Sequence, residues 1–92
     1  MGESLSYKLP FLDELGKPKG YLYLQWQKRP RDLPRAGETV VLLGGSNGLE
    51  GRIAEVAHSN FFSIATLRFE PVSYSFRKIL EEQDSDWTYF ED

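Results

Sequence analysis

The sequence contains no cysteine, which excludes disulfide frameworks, thiolate metal sites and cysteine nucleophiles together. Its single histidine, His58, cannot build a multi-histidine metal centre, and no motif places a serine and a carboxylate around it as a hydrolytic triad requires. No run of 18 or more apolar residues occurs, so no segment reads as a membrane-spanning helix. The first six residues lack the cationic and apolar regions of a signal peptide, which predicts a cytoplasmic protein. Gly2 and Ser6 satisfy the loose myristoylation pattern, but no polybasic second signal lies nearby, and chance agreement is the better reading. Repeats and low-complexity tracts are missing too. With 92 residues there is no room for a catalytic domain plus a regulatory one. The expectation is a non-enzymatic protein with no metal and no cofactor.

What is present is enough apolar material for one core: 40% hydrophobic and 14% aromatic residues, where a disordered chain pairs low hydrophobicity with high net charge. Residues 1–92 therefore read as a single small domain that commits most of its large apolar residues to packing. The net charge of -3 hides a separation. Residues 17–35 carry Lys17, Lys19, Lys28, Arg29, Arg31 and Arg35 against Asp32 alone, whereas the aromatic segment 81–92 carries Glu81, Glu82, Asp84, Asp86, Glu91 and Asp92 unopposed. A basic region and an acidic tail in one small chain bear directly on its choice of partner.

Two early segments alternate as half-buried strands do. Leu5, Tyr7, Leu9 and Phe11 share one face, with Pro10 pointing to an edge position. Tyr21 and Tyr23 oppose Leu22, Leu24 and Trp26, and the connection between the two strands, residues 13–20, holds Gly16, Pro18 and Gly20. Two prolines make residues 28–35 a surface loop. Residues 39–43 and 52–57 form a second hairpin around Asn47-Gly48, since both turn residues tolerate positive φ. After a turn at residues 58–60, residues 61–69 make the longest strand. Phe62 and Ile64 are in one phase and Leu67 and Phe69 in the other, which predicts a bulge near Ala65 or Thr66. Phe76, Ile79, Leu80 and Gln83 fit helical spacing with Ser75 as cap, so residues 76–83 read as a short helix, or equally as a frayed or 3₁₀ turn, because Glu81 and Glu82 oppose the helix dipole. Trp87, Tyr89 and Phe90 are apolar enough to dock as a terminal strand. The fold class expected is all-β, with the one short helix, in a small antiparallel SH3-like barrel of five to six strands, closure being the simplest way to satisfy two strand edges.

The stretch from Gly37 to Val56 resembles the KOW motif of ribosomal and transcription-associated SH3-like barrels. Gly37 and Glu38 match the opening, Val40 and Leu42 the inward strand positions, Gly45 the turn, Gly51 the glycine of the return strand, and Ile53 and Val56 its core. The loop between Gly45 and Gly51 is one residue shorter than the family pattern. The resemblance implies an SH3-like barrel and contact with RNA or the ribosome. It supports the fold more than the function, because any tight barrel hairpin needs most of these residues.

Three features compete as sites. The basic loop, with Lys28, Arg29, Arg31 and Arg35 next to Trp26, joins phosphate-neutralising cations to a face on which a base stacks; the plain alternative is a solvated loop. The tail, folding onto that loop within the chain or on another copy, is a second possibility, at about 0 to 1 kcal/mol per exposed pair. The glycine-rich residues 44–48 lack the helix and lysine of a phosphate cradle and read as a hairpin turn. His58 and Ser59 read as turn residues rather than a catalytic pair. Finally, Phe61 and Phe62 must face opposite sides of a strand. Together with Tyr21, Tyr23, Trp87, Tyr89 and Phe90 they exceed what one small core holds, so an exposed aromatic patch is expected. The leading expectation is a module that binds a protein partner or itself through these aromatics and the two charged segments. The alternative is an RNA- or ribosome-associated KOW-like module using Trp26, Lys28, Arg29, Arg31 and Arg35.

Overall fold

The computed structural model describes residues 4–26, 33–43, 48–59, 64–84 and 86–91. Along the chain run β1 (Ser4–Leu12), β2 (Pro18–Trp26), β3 (Thr39–Leu43), β4 (Leu49–Ser59), β5 (Ile64–Phe69), α1 (Tyr74–Gln83) and β6 (Thr88–Glu91). Among these residues the protein is mostly β with one short helix, and the strands form a single sheet in the order β3-β4-β5-β1-β2-β6.

The odd residues of β1 set the core face. Leu5, Tyr7, Leu9 and Phe11 are buried, and the strand partners place Leu22 opposite Leu9, and Ala65 and Leu67 beside Leu5 and Tyr7. Ile53, Phe69, Leu80 and Trp87 complete the cluster. Tyr7 meets Phe69 edge-on at 5.5 Å and Trp87 at 6.1 Å, and burial pushes its phenol above the ordinary tyrosine range. Central placement of β1 also buries Ser6 on its opposite side. The β1–β2 turn is organised by Asp13, whose Oδ1 accepts from the Leu15 and Lys17 amides at 2.8 and 2.9 Å, while Gly16 takes the positive φ of 80° that closes it.

Both expected hairpins form, as antiparallel β1–β2 and β3–β4 pairs; the turn residues 44–47 of the second lie outside the described residues. Several expectations need correction. The strands do not form a closed, antiparallel SH3-like barrel. β1 and β5 pair in parallel, so the sheet is mixed, and it ends at β3 and β6. Its core face is covered instead by α1, which touches β1 and β3 and buries Leu80 completely. Once a helix covers that face, strand closure is not needed to remove apolar surface from water.

The bulge lies in β4, not in β5: the partners of β5 run unbroken from Ile64 to Arg68 on the β1 side, while the β4 ladder shifts between Ile53 and Glu55. That extra residue lets Ile53 and Val56, three apart, both reach the core side. The helix begins two residues earlier than expected, with Ser73 rather than Ser75 as cap, its Oγ accepting from the Phe76 amide at 3.2 Å. His58 belongs to β4 and is exposed, so no turn occurs at residues 58–59. Gly20 is a buried position inside β2 rather than part of the connection. Phe61 and Phe62 lie outside the described residues.

Candidate functional site

Two-residue periodicity sends Leu22 into the core and therefore Tyr21 and Tyr23 to the outer face of the sheet. In the antiparallel β2–β6 pair, residues directly opposite share a face, and the register is Tyr21 with Phe90, Leu22 with Tyr89 and Tyr23 with Thr88. Phe90 is thus carried onto the same outer face as the two tyrosines. Its ring stacks on Tyr21 at 5.0 Å and 17° and meets Tyr23 edge-on at 6.5 Å. Phe90 remains 43% exposed, and the tyrosines are half-buried. Lys8, on the outer phase of β1, holds its Nζ 4.3 Å above the Tyr21 ring.

The opposite side of β6 is also aromatic. Tyr89 stacks on Phe11 at 5.4 Å and 26°, and the Arg77 guanidinium of α1 lies 4.3 Å from the Phe11 ring and 4.5 Å from the Tyr89 ring while donating to Glu81 Oε1 at 3.0 Å. β6 is further tied by Lys19 Nζ to Glu91 Oε1 at 2.7 Å. The hydrogen bond and charge of each partner hold the Glu91 carboxyl below the usual carboxylate range and push the Lys19 ammonium above the usual lysine range. The basic region and the acidic tail therefore meet within one chain at this pair.

The remainder of the outer face differs in character. On β4, β5 and the residue that follows β5, Arg68 pairs with Glu55 at 3.5 Å and Arg52 with Glu70 at 3.6 Å, all four exposed. The outer face thus divides into an ion-paired half and an aromatic half. A solvent-open concavity of about 450 Å³ runs along α1, lined by Tyr74, Arg77, Lys78, Glu81 and Glu82, and its mixed charges favour no single ligand. Among the described residues no three His, Asp or Glu side chains are grouped as metal ligands, and no helix is long and apolar enough to cross a membrane.

Of the residues singled out from sequence, Tyr21, Tyr23 and Phe90 are brought together and Tyr89 sits on the other side of the same edge. Trp87 is only 8% exposed; its Nε1 donates to Asp84 Oδ2 at 3.2 Å, and it serves the core rather than the patch. Arg35 is exposed in the approach to β3. Lys28, Arg29, Arg31, Phe61 and the Trp26 side chain lie outside the described residues. Sequence reasoning missed Lys8 and Arg77. The outer phase of Lys8 in β1 was available as a signal, whereas no spacing signal joins Arg77 to Phe11. Compared with known protein families, curated proteins and solved structures, the chain matches none.

Proposed function

We propose that this chain is a non-enzymatic interaction module that docks a protein partner on the aromatic outer face of β2 and β6. The observation that carries this reading is the Tyr21–Phe90–Tyr23 cluster, with Phe90 nearly half exposed at the end of the sheet. Aromatic rings supply large contact area at small entropy cost and concentrate interface energy, so a cluster left in water is a surface awaiting cover.

Charge favours a protein over a nucleic acid here. Among the described residues, Lys19 is taken by Glu91, and Arg52 and Arg68 by Glu70 and Glu55, while Lys8 sits over the Tyr21 ring. A nucleic-acid site needs several cations to displace condensed counterions. A second reading, an RNA- or ribosome-associated module with the KOW-like character implied by residues 37–56, is supported by the antiparallel pairing of β3 with β4 and requires the cations at 28, 29, 31 and 35.

The test is photocrosslinking with a photoreactive phenylalanine analogue in place of Phe90. Protein adducts that unlabelled wild-type chain competes away and the Phe90→Ser chain does not are expected. Adducts to RNA, lost when Arg29 and Arg31 are changed to Glu, would establish the second reading instead. Absence of any competed adduct would refute docking on this face.

A further inference from the structure

Deepening the reading above, and resting on it, we infer that the partner is an extended cationic segment that adds to the outer edge of β6 as a seventh strand. The two ends of the sheet are not equivalent. β3 carries a register shift between Val41 and Leu43, a device that spoils further pairing, and its Val40, Leu42 and Leu43 pack on the core. β6 has an unbroken register with β2, all four of its residues are exposed, and among the described residues no strand pairs with its outer edge. It also lacks the lysine, proline or bulge by which edge strands are usually protected.

The chemistry around β6 already selects cations. Three of the chain's own positive side chains are seated there: Arg77 on Tyr89 and Phe11, Lys8 on Tyr21 and Lys19 on Glu91. Asp86, exposed two residues before β6, and Glu82, exposed near the end of α1, have no ion-pair partner among the described residues. A second copy pairing β6 with β6 would bring two acidic tails together, whereas a cationic strand neutralises one. Register then dictates the pattern of the occupant. Residues opposite Phe90 and Thr88 lie on the outer face and are apolar; those opposite Tyr89 and Glu91 lie on the other face and carry Lys or Arg.

The probe is a fluorescent eight-residue peptide of alternating lysine and valine, titrated against the full chain by anisotropy. Saturable binding is expected, weakened at least about fivefold by Asp86→Lys and by Phe90→Ser. Asp86 is an exposed side chain, so its variant tests the charge without disturbing the sheet, and far-UV spectra check both folds. N-methylation of alternate peptide nitrogens abolishes binding in one phase and spares it in the other, as pairing along one edge requires. Equal binding by both methylated peptides, by an alternating glutamate-valine peptide, or by a block peptide of the same composition overturns the proposal, as does no binding or tighter binding of an oligouridylate. If the peptide fails while protein adducts still form at position 90, only the edge-strand inference falls; if adducts also fail, the docking face itself is wrong.

Discussion

Gly20 shows how a single residue holds the candidate surface in place. It lies opposite Glu91 in the β2–β6 ladder, and a Cβ built on it would run into the Phe90 carbonyl oxygen and stand 3.0 Å from Glu91 Cα. Both obstacles are backbone, so no rotamer change relieves them. Gly20→Ala therefore has to push β6 off the sheet or distort β2, at a cost of about 1–3 kcal/mol, the range found when buried sites are overfilled. Gly51 is crowded differently: an added methyl group meets the Phe69 and Leu42 side chains at 2.8 and 2.9 Å, which can shift. In NMR spectra Gly20→Ala is expected to erase the Tyr21–Phe90 ring contacts while contacts within β1 and β5 persist, and Gly51→Ala to leave those ring contacts intact. Retention of the Tyr21–Phe90 contacts in Gly20→Ala would show that β6 is not seated against this glycine.

At the scale of elements, β6 is the strand most exposed to solution conditions, since an exposed ion pair and ring stacking hold it to β2. The Glu91 carboxyl is held below its usual range, so its contribution is present above the usual carboxylate range and disappears as pH falls through the lowered value. The Lys19 ammonium is raised, so its contribution is complete below the usual lysine range and disappears as pH climbs through the raised value. β6 should dock best between those limits. Tyr21–Phe90 NMR contacts are expected to weaken on acidification and to become insensitive to it in Lys19→Met; a wild-type profile flat through the acid range would mean the pair does not tether the strand. Much of this region was legible in advance. Alternation assigned Tyr21, Tyr23 and Leu22 to opposite faces, and apolar character assigned Trp87, Tyr89 and Phe90 to a terminal strand. What alternation cannot encode is which strand lies beside which: nothing in Leu5, Tyr7, Ala65 or Leu67 states that β1 and β5 run parallel. Nor did apolar character alone separate Trp87, which precedes β6 and turns inward, from Phe90, which faces outward within it. The β4 bulge was readable in the three-residue spacing of Ile53 and Val56, but the apparent phase change around Ala65 drew the expectation to the wrong strand.

For the molecule as a whole, replacing strand closure by a helical cover makes α1 a condition of folding rather than an appendage. Leu80 is fully buried among sheet residues, while Ile79, one position earlier, is 38% exposed. Truncating a buried leucine costs about 2–5 kcal/mol through lost transfer energy and the cavity left behind. Small domains hold only roughly 5–15 kcal/mol in total, so that loss removes a large share of the margin. Leu80→Ala is therefore expected to lower the urea midpoint substantially, and Ile79→Ala to change the unfolding free energy by less than about 1 kcal/mol. Because Trp87 packs on Tyr7 at the centre of the sheet and Leu80 belongs to the same cluster, helix and sheet should unfold in one step. Far-UV circular dichroism and tryptophan fluorescence are expected to give the same midpoint in wild type and in Leu80→Ala, as two-state unfolding demands. A Leu80→Ala chain that keeps its wild-type fluorescence midpoint and loses only helical signal would mean that the sheet stands without its cover, and that the open face, rather than the β6 edge, is the apolar surface left to account for.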